Sequence, residues 1–263
     1  MKLRHRTLAG PVKVGGVGVH TGASATVQLL PALPGAGLCW SVPSAGPWPV
    51  DLRHAEAVPG ATVLVAGDVR VSTPEHVLAA LTGLGVSDTQ LVVDGPELPA
   101  LDGGAAAWVA AIRSVGCVDG EPLAVPVVSG VDWSAHGGRF VVRPGPPERI
   151  VHVDFGPGGP RGTARWRVGQ DPMAFAWART FVLADQVDAL RAAGRGRGAT
   201  ADNTLVWGAG PVERAEEPVV HKLLDLVGDL ALVGPLAARV EVWRGSHQLH
   251  HAAMRALRYR QPG

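Results

Sequence analysis

Apolar and polar positions alternate with a period of two along the first third of the chain. Thr26-Val27-Gln28-Leu29-Leu30 alternates between Gly22 and Pro31, and the runs 61–65 and 69–71 flank Ala66-Gly67-Asp68. That pattern predicts a half-buried strand followed by a hairpin. The period then lengthens. After Ser72-Thr73-Pro74, the residues Val77, Leu78, Leu81 and Leu84 share one helical face. Ser72 or Thr73 suits the N-cap, Pro74 the first helical position, and Gly83 and Gly85 the stop. Residues 90–94 read as another strand and 102–115 as a second helix. Asp119-Gly120-Glu121-Pro122 reads as a linker.

Beyond it the order returns. Strands are predicted at 125–128, 140–142 and 150–155, and helices at 172–184, from Val187, and at 219–233. A strand over 238–243 and a last helix from Gln248 complete the chain. Two successive units, each with strands first and two helices later, predict an α+β fold of two similar domains, 1–120 and 121–263.

Composition removes several function classes. The 263 residues carry 24 basic and 23 acidic side chains, a net charge of +1. No overall field attracts nucleic acid or an anionic membrane. No apolar run of about 18 residues predicts a membrane span. The basic start, Met1 to Arg6, lacks the apolar stretch of a secretory signal. Cys39 and Cys117 alone form no disulfide framework and read as free thiols in a reducing compartment. The expectation is a soluble cytoplasmic protein. The three arginines within 191–197 read as a solvated loop, and 195–202 as an ordered glycine-rich loop.

The stretch Val219-Val220-His221-Lys222-Leu223-Leu224-Asp225-Leu226-Val227-Gly228-Asp229 breaks the apolar pattern in a particular way. His221 and Asp225 are four residues apart and stack on one helical face, with Asp229 a further turn along. Such a pair serves either as two zinc ligands or as a structural His–Asp hydrogen bond, and spacing alone does not choose. Glu75-His76 opens the earlier helix. It fits a third ligand beside a general base, or equally an exposed glutamate and a capping histidine. His247, on the turn Arg244-Gly245-Ser246-His247, is placed for acid catalysis, with Asp229 to orient it and Lys222 to add charge. His250 and His251 read as helix-surface residues. Gly16-Val17-Gly18-Val19-His20-Thr21-Gly22 misses the dinucleotide spacing by one residue and reads as a hairpin loop. Its His20 belongs either to a site edge or to local turn packing. A P-loop and a Gly-x-Ser-x-Gly elbow are both absent.

Five motifs in order resemble the bacterial UDP-3-O-acyl-N-acetylglucosamine deacetylases, zinc amidases of lipid A biosynthesis. They are 16–22, Ser72-Thr73-Pro74-Glu75-His76, Gly95-Pro96-Glu97-Leu98-Pro99-Ala100-Leu101-Asp102-Gly103, Ala178-Arg179-Thr180-Phe181, and His221-Lys222-Leu223-Leu224-Asp225 with Gly228-Asp229. The resemblance implies two domains packed through their helices as a β-α-α-β sandwich, with the site between them. It implies a Zn2+ ion, with Fe2+ as the other candidate, held by His76, His221 and Asp225. Glu75 is then the base, His247 the catalytic histidine, Asp229 its partner and Thr180 the oxyanion donor. Lys222, Phe181, Asp154, Phe155 and Arg244 are the implied substrate contacts. The segment 181–203 is implied to form an apolar passage for the acyl chain. The partner is an acylated UDP-amino sugar bound by a monomer, with no nucleic acid and no stable membrane insertion. Two rivals remain: a related zinc hydrolase of another N-acylated sugar, and a catalytically idle binder of acylated nucleotide sugar.

Overall fold

A computed structural model describes residues 3–125, 127–257 and 259–260. The chain is α+β. Its first five-stranded sheet runs in the order Val12–Val17, Ser24–Pro31, Thr89–Asp94, Leu38–Val42, Ala45–Pro49. The second runs Val131–Ala135, Gly138–Pro144, Ala238–Trp243, Glu148–Asp154, Arg161–Arg167. In each sheet two antiparallel hairpins flank the strand that comes last in sequence. That strand pairs antiparallel with the first hairpin and parallel with the second. The two sheets thus share one topology, as the repeated element order predicts.

Alternation explains which face each sheet buries. In Ser24–Pro31 the inward residues Ala25, Val27 and Leu29 are buried, and Val27 and Leu29 sit opposite Val93 and Leu91. In the second sheet Phe140 and Val142 sit opposite Val242 and Val240. Among the described residues six α-helices accompany the sheets: α1 (Glu75–Gly83), α2 (Ala106–Val115), α3 (Met173–Ala176), α4 (Val187–Ala192), α5 (Glu217–Leu230) and α6 (His247–Arg255). Helix α2 packs on the first sheet, α5 and α6 on the second, and α1 packs against α5 across the middle. The layers are therefore sheet, helices, helices, sheet. Helix α5 buries Leu223, Leu224, Leu226, Val227 and Leu230. Each such side chain contributes roughly 1.5–3 kcal/mol on burial, enough to bury the polar residues beside them.

Each unit is closed by pairing its beginning to its end. Arg4–Leu8 pairs antiparallel with Cys117–Pro122, and Val127–Val128 with Tyr259–Arg260. The expected linker at 119–122 is thus part of a strand: Asp119 and Pro122 lie opposite Arg6 and Arg4, and Arg6 forms an ion pair with Asp119. Of the strand expected at 125–128, Pro126 lies outside the described residues.

Two further expectations are corrected. Residues 172–184 are not one helix. Met173–Ala176 makes a single turn, and Thr180–Leu183 is a strand parallel to Thr204–Trp207. The β-branched and aromatic run Thr180-Phe181-Val182 favours extension, and short apolar runs do not distinguish helix from strand by period. The α1 N-cap is neither Ser72 nor Thr73. Pro74 occupies that position, while Thr73 adopts φ +61° and its hydroxyl donates to Glu97 Oε1 at 3.1 Å. The predicted cap is diverted to a tertiary bond.

Candidate active site

The site forms where α1 meets α5, and a glycine permits the meeting. A Cβ at Gly228 would lie 2.8 Å from the Glu75 carbonyl carbon and 3.0 Å from its Cα, closer than side chains pack. The absence of a side chain there lets the first turn of α1 rest on the polar stripe of α5. His76 and His221 then stand with ring centroids 5.2 Å apart. Ligand atoms of His76, His221 and Asp225 all lie within 4.8 Å of one another, and all three residues are buried.

Hydrogen bonding fixes the tautomers. His76 Nδ1 lies 3.0 Å from the Gly104 carbonyl and His221 Nδ1 3.0 Å from the Ala178 carbonyl. A carbonyl only accepts, so both Nδ1 atoms carry hydrogen and each Nε2 keeps its lone pair. Burial lowers both imidazoles, His76 to about 4, with each ring's neighbours modulating the effect. Burial opposes charge on Asp225, yet Lys222, His221 and His247 hold it well below the usual carboxylate range. Lys222 Nζ donates to Asp225 Oδ2 at 2.6 Å. Two neutral imidazoles with free Nε2 atoms and one carboxylate are the donor set of an open divalent-cation site. The residues fit a metal.

Beside them is a charged pair with no counterpart in the metal set. Asp229 Oδ2 accepts from His247 Nδ1 at 2.7 Å. Burial works against the His247 imidazolium, but Asp229, Asp225 and Glu75 together raise it to about 9. His247 Nε2 faces the metal side, 3.8 Å from Glu75 Oε1 and 3.9 Å from Asp225 Oδ2. Glu75 is 2% exposed. Burial pushes its carboxyl up to about 8, with His247 opposing and Asp229 and Asp225 adding to the rise. The arrangement therefore holds a poised carboxyl and a protonated imidazole on adjoining sides of one cation position.

The remaining expected residues fall into two groups. Thr180 begins the strand whose amide donates to the Gly103 carbonyl at 2.8 Å. That bond joins the two segments whose carbonyls, Gly104 and Ala178, hold the imidazoles. Arg179 secures this segment by donating from Nε to Glu217 Oε1 of α5 at 2.8 Å. Phe181 packs edge-on against His221 and against Phe155, with centroids 6.1 and 5.6 Å apart. Asp154, Phe155, Lys222 and Arg244 line one pocket of about 360 Å³, together with His136 and Gly245. Leu183, Val187 and Leu190 are half-buried in the 181–203 segment.

Several contributors escape sequence reasoning. Thr62, fully buried in the Ala61–Ala66 strand, donates to Asp229 Oδ1 at 2.7 Å and lies 3.0 Å from His251 Nε2. His250 Nδ1 gives Asp229 Oδ2 a second bond at 2.7 Å. His250 and His251 are 0% and 1% exposed, so the helix-surface expectation is wrong. The face of α6 that carries them turns toward Asp229. The close grouping of Asp229, His247 and His250 is explained by these hydrogen bonds. Glu97 accepts from the His20 and Thr21 amides and from the Thr21 and Thr73 hydroxyls. It ties the 16–22 loop to the entry of α1. Of the arginines in the expected solvated loop, Arg191 and Arg197 are exposed, while Arg195 is half-buried and reaches His20 Nε2 at 2.7 Å and the Pro59 carbonyl. The regular spacing within α6 is the one available sign for His250 and His251; Thr62 carries none.

Fold and donor set define a class: two like-folded α+β units with a buried two-histidine, one-aspartate set, able to hold a cation, at their seam. The chain belongs to the UDP-3-O-acyl N-acetylglycosamine deacetylase family, whose profile matches residues 5–259. It is similar to proteins named UDP-3-O-acyl-N-acetylglucosamine deacetylase. The one from Thermosynechococcus vestitus is 38% identical, covering 96% of this chain and 93% of the relative. That from Nostoc sp. is 35% identical, covering 94% and 96%. That from Brucella ovis is 34% identical, covering 98% and 96%.

Proposed function

We propose that the chain hydrolyses the acetamide of a UDP-linked 3-O-acyl-N-acetylglucosamine, releasing acetate in the step that commits material to lipid A. Family membership supports the reaction, and the observation that carries it is Glu75 and His247 flanking a three-ligand cation set. His76, His221 and Asp225 would hold Zn2+. A divalent cation in that set supplies Lewis-acid charge toward the acetamide oxygen. Glu75 takes a proton from the attacking water. His247, charged and held by Asp229, stabilises the oxyanion and then gives its Nε2 proton to the departing amine. Thr180 donates to the same oxyanion; donors of this kind are worth about 3–4 kcal/mol.

The substrate's other groups have places to go. Lys222 and Arg244 supply positive charge for a diphosphate. Phe155 and Asp154 offer a ring face and an acceptor for uracil. Phe181 and the 181–203 segment supply apolar surface for the acyl chain. The proposal includes division into two domains, with the boundary moved from 120/121 to beyond Pro122 because the strand Cys117–Pro122 pairs with Arg4–Leu8, and a cytoplasmic monomer. Among the described residues no helix is long and apolar enough to cross a membrane.

The test is acetate release from substrates of graded acyl length, with and without chelator. Chelator-sensitive release from the UDP-linked substrate is the expected result. Release only from other N-acylated sugars, or none with metal bound, would refute the assignment.

A further inference from the structure

A second, larger cavity opens between the two units. Its volume is about 1110 Å³, and it contains none of the active-site residues. Leu38, Val86, Leu230, Leu232, Leu236 and Met254 form much of an apolar wall. It is as large as the bigger small-molecule pockets, which favour seams of this kind. Among the described residues no aromatic ring lines it, so they offer nothing for a nucleotide base to stack on.

Its charges are one-sided. Among the described residues Arg4, Arg53, Arg149 and Arg255 line it with a single carboxylate, Asp51. Asp51 is already engaged, accepting from Arg53 at 2.9 and 2.5 Å and from His54 at 3.0 Å. Arg149 is 4% exposed. Its nitrogens donate to the carbonyls of Glu148, Ala238 and Leu236, and among the described residues it pairs with no carboxylate. Arg4 and Arg255 are exposed, donate to the carbonyls of Gly120 and of Leu52 and Ala55, and have Asp119 and Glu56 within electrostatic reach; Arg149 is the buried one. Carbonyls satisfy N–H groups but leave the net charge standing, and a buried charge without a counter-ion is unfavourable. Burial draws Arg149 down to about 10, so it stays charged at neutral pH.

We propose that this cavity binds a single-chain fatty acid, its chain along the apolar wall and its carboxylate at the Arg149 guanidinium. Charge complementarity selects the head group, and the apolar wall of leucines, valines and Met254, with no aromatic ring among the described residues, selects a plain alkyl tail. The claim is independent of the acetamide reaction.

The test is photolabelling of the full chain with a myristate carrying a diazirine in its tail, followed by peptide mapping. Labels are expected within 230–237 and 254–257, removed by excess myristate and not by its methyl ester. Arg149→Met should weaken labelling about tenfold, the scale of a lost charge-assisted hydrogen bond. If that variant does not fold, Arg255→Gln, on an exposed residue, should weaken it by about threefold. Labelling confined to 180–207, equal competition by the ester, or no response to either arginine change overturns the proposal. So does a dimer that shields the same peptides without fatty acid, which would assign the cavity to a second copy. Acetate release, measured on the same samples, judges the deacetylase reading separately.

Discussion

The two units share a sheet order but divide the chemistry unequally. In each, a two-hairpin sheet is followed by an added β element, a helix, the central strand and a second helix. The added element is 55–72 in the first unit and 180–207 in the second. The first unit contributes two residues from the opening turn of α1, Glu75 and His76. The second contributes a stripe along α5, His221, Lys222, Asp225 and Asp229, and His247 from α6. Equivalent helices therefore do different work. Burial of apolar faces sets the repeat, and the chemistry is written over it at the seam, where neither unit alone holds a complete set.

The widest separation between the units' roles comes from removing the cation. His221→Ala, or chelation, should abolish acetate release and bound metal together, as measured by elemental analysis. Glu75→Gln, in the other unit, should lower turnover by about 10²–10⁴-fold, the usual contribution of a general base. It should keep the metal. Loss of metal in that variant would move Glu75 from base to ligand and erase the proposed division.

The seam itself is broken by Gly228→Ala. The added methyl meets the Glu75 backbone, and overpacking of this kind costs about 1–3 kcal/mol. A displacement near 1 Å at the site costs on the order of 10²-fold in rate. The expected outcome is a lowered urea midpoint with an unchanged slope and a disproportionate drop in kcat. A fully active variant would show that the helix crossing tolerates a wider spacing.

The pH response tests His247. In the proposed reaction His247 acts protonated, so activity should fall on the alkaline side near pH 9, and His247→Gln should remove that limb from a much slower enzyme. The stability sign follows from the same shift. His247 rises from an ordinary 6.5 to about 9 on folding. Its stabilising contribution is therefore complete below about pH 6.5 and is lost as pH climbs through 9. Urea midpoints at pH 6.5 and 9.5 should differ in that direction, and the difference should shrink in His247→Gln.

Sequence legibility also differs between the regions. The stripe on α5 was readable because helical spacing brings His221, Asp225 and Asp229 together without tertiary information. The two sheets were readable from alternation, and the strand at 238–243 has the predicted bounds. Glu75 and His76 were readable as a pair, but their convergence on α5 depends on the helix crossing at Gly228, which no local pattern encodes. Thr180–Leu183 was misread because four apolar-rich residues fit helix or strand alike. Thr62, His250 and His251 were missed or misplaced because their partners are tertiary: Thr62 and His250 meet Asp229, and His251 meets Thr62.

Thr62 gives the finest test of the comparison, because it carries the first unit's hydroxyl to the second unit's carboxylate. Asp229 accepts from His247, His250 and Thr62, and all four side chains are buried. Thr62→Val keeps the shape and removes one donor, leaving Asp229 Oδ1 without it. An under-satisfied buried acceptor costs about 1–3 kcal/mol. The Asp229–His247 bond should survive, since it uses the other oxygen. Stability should therefore drop by that amount while turnover falls only about tenfold, and Thr62→Ser should restore both because it returns the hydroxyl. If Thr62→Val left the urea midpoint unchanged, the cross-unit bond would be incidental, and Asp229 would be held by the second unit alone.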